Sequence, residues 1–589
     1  MTTGFSRRSF LLGAAAAAVP PAFARGTKPV FRAGLLTDTH VTDDPKSWGL
    51  VRKAMGLFRR EGVDLICHTG DLADVYAPKG WEGYRAAIEE AFGDRMPETY
   101  YAFGGHDRNG YRLKPGETNR EEPVWAEMRA RLKADHGLYD IREFRGYRFV
   151  IIQEYLDGKR TKELVDRAVK ESGGKPVFVL FHEPASDTIG NSVAWGNPVM
   201  RDILNGFPSV VHLGGHVHGS NRDERQIWQG EFTEVNLGCL QHWGGECANV
   251  SRSAVAMADD GVMTMDVYPD AIVFRRFSLT TGEEYRPLDP WTVPLPFDPK
   301  TAPCRPDARK AKSRPPLWGK GAQASATWVE EKGFRGYRVT VPEAKHRDGA
   351  YRYNAELFAA DGRRITLTQR LGPFWKLPES SRSGRIVLDL EDAFLVPKGR
   401  YRISVVPEDF FGNRGKALSV EVTAPDFPPR WETLWSGADG MRDLAVNRFV
   451  WKKGPVRLTP DADGFVSASD KRHWYPLLTV DFPEGVLPAA DPAGTVYRLV
   501  FELEVRHERN GTWRFEVQNR TGGALDNFYL PNLPAEPNMT PNGSAGTVTY
   551  VEHIRKPNAG PLEMRLAFSY GAPMSRLRFG KVRIEREVR

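Results

Sequence analysis

Cysteine is scarce, with four in 589 residues, too few to staple a disulfide scaffold. The chain must be held by ordinary hydrophobic cores, and at this length by several of them. Long apolar runs are missing as well. The Ala-rich run near the N-terminus stops at Val19, well short of the ~20 residues a spanning helix needs, and no later segment reaches that length. Blocks of lysine and arginine are also absent. The formal net charge of +7 is spread along the chain, which suits a small anionic substrate and leaves no footprint for nucleic acid.

Each cysteine reads separately. Cys67 lies inside an apolar run and reads as a small buried hydrophobe. Cys239 and Cys247 bracket a Gly-rich loop; a bond between them would contribute roughly 2–3 kcal/mol by loop closure, and two thiols fit equally well. Cys304 has no evident partner in the sequence.

What is present begins with a targeting segment. Ser6-Arg7-Arg8-Ser9-Phe10-Leu11, the Ala-rich run and Ala22-Phe23-Ala24 read as a twin-arginine export signal over residues 1–24. The mature chain then starts near Arg25, carries no membrane span, and belongs in the periplasm or outside a bacterial cell.

From Phe31 onward apolar runs alternate with helical periodicity. Strands are expected at 31–36, 63–67 and 99–103, helices at 46–60 and 81–92, and a further helix–strand pair at 162–171 and 176–181. Each strand ends in the same residue types. Asp38-Thr39-His40, Gly70-Asp71, Gly104-Gly105-His106-Asp107, Phe181-His182-Glu183 and Gly214-Gly215-His216-Val217-His218-Gly219 follow one another in order. Asp38 to Asp71 and His182 to His216 each span about one strand–helix–strand unit. Chemistry at the C-terminal ends of strands is the rule for α/β sheets. Two histidines one residue apart on a strand would point to opposite faces; flanking glycines let both converge on a metal pair.

Read singly, these residues have plainer explanations: Asp38 as a helix cap, Asp71 as a turn residue. His68, His212, His136 and His242 lie within apolar strands or beside motifs and read as structural, with pocket lining the alternative for His242-Trp243 in the Gly-rich loop.

The ordered set resembles the calcineurin-like metallophosphoesterases, the dinuclear phosphoesterase superfamily that includes purple acid phosphatases. The resemblance covers roughly residues 30–280. It implies a β-sandwich flanked by helices and a phosphoesterase using two transition-metal ions, manganese, iron or zinc, with a bridging hydroxide as nucleophile. It implies that Asp38, His40 and His218 hold the first ion, that His182 and His216 hold the second, and that Asp71 bridges them. His106 would protonate the leaving oxygen, with Asp107 orienting its ring. One position departs from the family pattern. Where the family has an asparagine that gives a side-chain oxygen to the second metal, this chain has Gly105. The second site is therefore expected to be the weaker and more exchangeable, its missing ligand supplied by water, a backbone carbonyl or a side chain such as Asn109.

The expected organisation is a signal (1–24), an α/β metallophosphoesterase domain (25–285), a Pro-rich basic linker (286–316), an immunoglobulin- or fibronectin III-like β-sandwich (317–424) and a jelly-roll-like domain (430–589). After His218, short alternating runs at 226–228, 232–236, 253–257, 262–267 and 271–277 read as antiparallel strands completing a second sheet. Residues 191–197 read as a loop roofing the site. Two functions fit. One is an exported phosphoesterase leaning to phosphodiesters; the other is a turnover-deficient homologue that binds cell-envelope glycan or another surface through its β modules.

Overall fold

The computed structural model describes residues 28–588 apart from 155–156, 191, 193–195, 241–260, 286–288, 332–333, 376–379, 381, 451–453, 468–477, 489, 493, 507–513, 520–523, 530–547, 556–563 and 570–575. The signal segment, the possible Cys239–Cys247 pair, Trp195, the run at 253–257 and His242-Trp243 thus lie wholly or partly outside the described residues.

β1 (Phe31–Leu36), β2 (Leu65–His68) and β3 (Glu98–Tyr101) run parallel, connected through α1 (Gly49–Glu61) and α2 (Pro78–Phe92). These strands are covered on both faces, so their sequences are continuously apolar rather than alternating. Phe31, Ala33, Leu35, Leu65 and Cys67 enter the core between the two sheets, while Leu36 and Ile66 join Val51, Phe58, Trp81 and Tyr84 under the helices. The buried positions of α1 recur at helical spacing, and Gly62, at φ 71°, ends it. α3 (Glu121–Leu132) packs on α2 in the same outer layer.

The second sheet holds β4 (Asp140–Phe144), β5 (Tyr147–Ile151), β6 (Val177–Leu180), β7 (Val210–Gly214), β8 (Ile227–Gln229) and β9 (Thr233–Asn236) in the order 4-5-6-7-9-8. β5, β6, β7 and β9 are parallel. α4 (Gly158–Glu171) and α5 (Pro198–Leu204) cover its outer face. The result is four layers, helices–sheet–sheet–helices, with Phe149, Phe178, Leu213 and Val235 meeting the first sheet across the centre. α5 was not evident in the sequence. It begins directly after the roof-loop stretch, where the Asn197 side chain accepts from Met200 N–H as its N-cap.

Two expectations need correction. β10 (Gly261–Val267) and β11 (Ala271–Ser278) do not complete the second sheet; β10 pairs antiparallel with β1 and carries β11 onto the first. Alternation alone cannot say which of two facing sheets a strand joins. The stretch read as a linker likewise adds a strand to the first sheet. Within it, β13 (Trp291–Pro294) pairs with β11, as does the short β12 (Glu284–Tyr285) just before it. Cys304 is buried in the core between the sheets, and α6 (Pro306–Lys312) lays Arg309 against Glu224. Glu224, only 4% exposed, also takes Arg276 at 2.9 Å and the Trp291 indole N–H at 3.0 Å. The basic residues of this stretch thus include a counter-ion for a buried acid.

Beyond residue 316 the described residues form strands, with only short helical turns between them. A three-stranded and a four-stranded sheet share one core over 325–423. A five-stranded and a six-stranded sheet follow from Trp431 onward. The first of these modules meets the α/β domain where Arg225 stacks over the Tyr351 ring at 4.1 Å and Cys239 joins Tyr351, Leu371, Phe374 and Phe410. Among the described residues no helix is long and apolar enough to cross a membrane.

Arg309→Met should destabilise the α/β domain by about 2 kcal/mol and so lower its thermal midpoint, because it leaves Glu224 short of one buried partner while Arg276 remains. Calorimetry of the full chain measures this, with Arg305→Met, whose partner Asp307 is exposed, as the reference that should change little.

Candidate metal centre

The ends of β1 and β2 are zipped together. Asp38 N–H donates to Gly70 carbonyl at 3.1 Å, His40 N–H to Asp71 carbonyl at 3.2 Å and Val41 N–H to Leu72 carbonyl at 2.9 Å. Each acid then spends one oxygen on the loop bearing the next histidine. Asp38 Oδ2 accepts from His216 N–H at 3.0 Å, and Asp71 Oδ1 accepts from His106 N–H at 2.9 Å.

The other oxygens face imidazoles. Asp38 Oδ1 stands 2.9 Å from His218 Nε2, 3.6 Å from His40 Nε2 and 3.8 Å from His182 Nε2. Asp71 Oδ2 stands 2.9 Å from His182 Nε2. The His182 Nδ1–H donates to Thr69 carbonyl at 3.2 Å, which turns Nε2 inward. The six residues thus form two groups, Asp38–His40–His218 and Asp71–His182–His216, whose donor atoms lie within 4.8 Å of one another in each.

The backbone is held in unusual conformations to achieve this. Among the described residues nine non-glycine positions have positive φ, and five of them are Asp38 (48°), His40 (41°), Asp71 (51°), His216 (68°) and His218 (47°). Left-handed backbone at a non-glycine residue costs of order 1–3 kcal/mol and persists only where the surroundings impose it. It also answers how His216 and His218 converge. Their own backbones leave the extended conformation, so the alternation of a strand does not apply. Gly215 between β7 and His216 is needed for a different reason: a Cβ there would collide with Thr37 and with Asp38 Oδ2.

Burial opposes charge on Asp38, Asp71, His182 and His216, yet charge prevails on the first three. Asp38 is held well below its ordinary value because His218 and His182 outweigh its desolvation. Asp71 is lowered in the same way by His182. His182 is raised well above its ordinary value, Asp71 and Asp38 overcoming burial. His216, by contrast, is pushed down to about 3, mainly by burial and then by His182. Buried carboxylates facing inward imidazole nitrogens, with Asp38 Oδ1 accepting no hydrogen bond, form a donor set that suits transition-metal cations.

Asp107 does not take its expected place. Its buried carboxylate accepts from Ala73 N–H at 2.8 Å and Gly104 N–H at 3.1 Å, and burial followed by the charge of Asp71 pushes it up to about 7. It shapes the loop instead of touching the ring of His106. That ring is held by Asp74, whose carbonyl accepts from His106 Nδ1–H at 2.7 Å and whose carboxylate lies 3.5 Å from the same atom and 3.3 Å from His40 Nδ1. Asp74 was missed, although the repeated acid in Gly70-Asp71-Leu72-Ala73-Asp74 was a signal. Asn109 is exposed.

Among the described residues, the histidines read as structural are so placed. His68 accepts from Gly70 N–H at Nδ1 and meets Thr39 Oγ1 at 3.1 Å through Nε2, and burial pushes it down to about 3. His212 pairs with buried Glu234 at 2.7 Å, and His136 Nε2 accepts from Tyr101 N–H at 3.1 Å.

A helix-flanked double sheet with paired Asp/His groups at the ends of its parallel strands defines a metallohydrolase domain. Residues 31–220 match the model of the calcineurin-like phosphoesterase family. Among solved structures, a dimetal phosphatase from Danio rerio is 14% identical, with 43% of this chain and 97% of that chain covered and a TM-score of 0.33. A purple acid phosphatase from seeds of yellow lupin, Lupinus luteus, is 14% identical over 46% of this chain and 54% of that chain, with a TM-score of 0.31. The N-terminal cellulose-binding domain of Cellulomonas fimi β-1,4-glucanase C is 18% identical over 27% of this chain and 99% of that one, with a TM-score of 0.18. No curated protein matches the chain.

Manganese added to chelator-treated protein should raise the melting temperature of the catalytic domain, since a ligand that binds only the folded state at a hundred times its Kd adds about 2.7 kcal/mol. Asp38→Asn should lose most of that rise when both are followed by differential scanning fluorimetry.

Proposed function

We propose that this protein is an exported metal-dependent phosphoesterase that favours phosphodiesters. The observation that carries the reading is the convergence of two buried Asp/His groups beside a partly exposed histidine. Bound there, a pair of divalent cations would neutralise phosphoryl charge and activate the attacking water.

The chain's own residues supply the rest. His106 has a side chain 45% exposed and gives Nδ1–H to Asp74 carbonyl, which leaves Nε2 as the atom to pass a proton to the leaving oxygen. The bond from His106 N–H to Asp71 Oδ1 ties that acid to the cluster's geometry. The diester preference rests on charge. Asp38, Asp71, Asp74 and Glu154 bring four carboxylates to or beside the cluster, so two dications leave little excess positive charge for the double charge of a monoester. Nothing observed favours the turnover-deficient alternative, since His106 and all six candidate ligands stand together.

Export through the twin-arginine route rests on Arg7 and Arg8; a full chain carrying Arg7→Lys and Arg8→Lys should stay in the cytoplasmic fraction, and unchanged export would refute that part of the proposal.

With manganese present, bis(p-nitrophenyl) phosphate should be cleaved faster than p-nitrophenyl phosphate. His106→Ala should lower kcat by ~10²–10⁴ while its metal content stays near wild type. A faster monoester reaction would remove the diester preference, and loss of metal from His106→Ala would make that residue a ligand.

A further inference from the structure

Glu154 lies three residues past β5, outside every motif of the cluster. Its backbone N–H donates to Phe103 carbonyl at 3.1 Å, which holds it beside the loop of Gly105. Its Oε2 accepts from Gly105 N–H and lies 3.9 Å from His182 Nε2. The side chain is only 12% exposed, and among the described residues His182 is the only cationic group within ion-pair distance of it.

Gly105 itself has φ −65° and ψ −37°, ordinary right-handed backbone that any residue adopts. Glycine is therefore not required there by conformation. Space is what a side chain would contest, because a Cβ at this position would lie 2.6 Å from Glu154 Oε1 and 3.2 Å from Oε2, and the Glu154 carboxylate would have to move aside. The carboxylate of one segment fills the volume that a side chain at 105 would take.

We propose that Glu154 is a ligand of the second metal site, Asp71–His182–His216, delivered from β5 into the room left by Gly105. The inference rests on the dinuclear reading above. It replaces the expected weak site with a strong one, since a charged carboxylate now joins Asp71 and two imidazoles and makes the donor set more anionic. Neither water nor Asn109 is needed to complete it.

The test uses the full chain, stripped of metal and titrated with manganese by calorimetry, with manganese EPR to report whether two ions are coupled. Wild type should bind two ions. Glu154→Ala should weaken the second by at least the ~10–100-fold that follows loss of a mere outer-shell partner, and should lose the coupled signal. Glu154→Gln keeps an acceptor for Gly105 N–H and a neutral oxygen, so it should fold as wild type and fall between the two. Gly105→Asn in the Glu154→Ala background should recover the second ion, because the space is vacated and the backbone permits a side chain. Two ions bound by Glu154→Gln and Glu154→Ala as tightly as by wild type would overturn the role of Glu154 alone. A wild-type chain that binds fewer than two would overturn the dinuclear reading and this inference with it.

Discussion

Two carboxylates buried at the ends of neighbouring parallel strands set the terms for the rest of this domain. Asp38 and Asp71 are 0% and 2% exposed, and two desolvated negative charges this close are unstable without compensation. One oxygen of each is satisfied by a backbone N–H from the loop of the next histidine. The other is left to imidazoles and, by our reading, to cations. This division explains the left-handed backbone at five of the six candidate ligands. The loops are bent until one face of every ligand points at a shared volume, and the layers of helix and sheet behind them hold that strain.

Much of this was legible because strand-end chemistry survives in sequence order. Asp38, His40, Asp71, His182, His216 and His218 each follow an apolar run, and the structure brings all six together. Asp107 shows the limit. Adjacency to His106 suggested contact, but in the tight turn of 106–108 the neighbouring side chains diverge, and the ring is held by Asp74 from another loop. Glu154 was beyond reach for the same reason in stronger form. It stands outside the strand-end pattern, and only the packing of the two sheets, where its N–H meets the Phe103 carbonyl, carries it next to Gly105.

The domain boundary failed on composition. Proline and basic residues between 286 and 316 looked like a spacer, yet that stretch supplies an edge strand, a core cysteine and the arginine that helps neutralise Glu224. Proline is compatible with an edge strand, where no ladder donor is needed, and a basic residue is read as solvated only until its acid is located. Glu224 and Arg225 lie a few residues beyond His218. The segment leaving the cluster is thus anchored by α6 on one side and by the Tyr351 ring of the next module on the other. In this chain the first β module buttresses the catalytic domain near its chemistry.

The central claim is that the buried Asp/His groups hold a pair of cations. Anomalous diffraction from manganese-soaked crystals of the full chain, recorded at the manganese edge, tests it most directly. The account predicts two peaks roughly 3.5–4 Å apart, one among Asp38, His40 and His218 and the other among Asp71, His182 and His216. A single peak, or none within reach of these six residues, would contradict it.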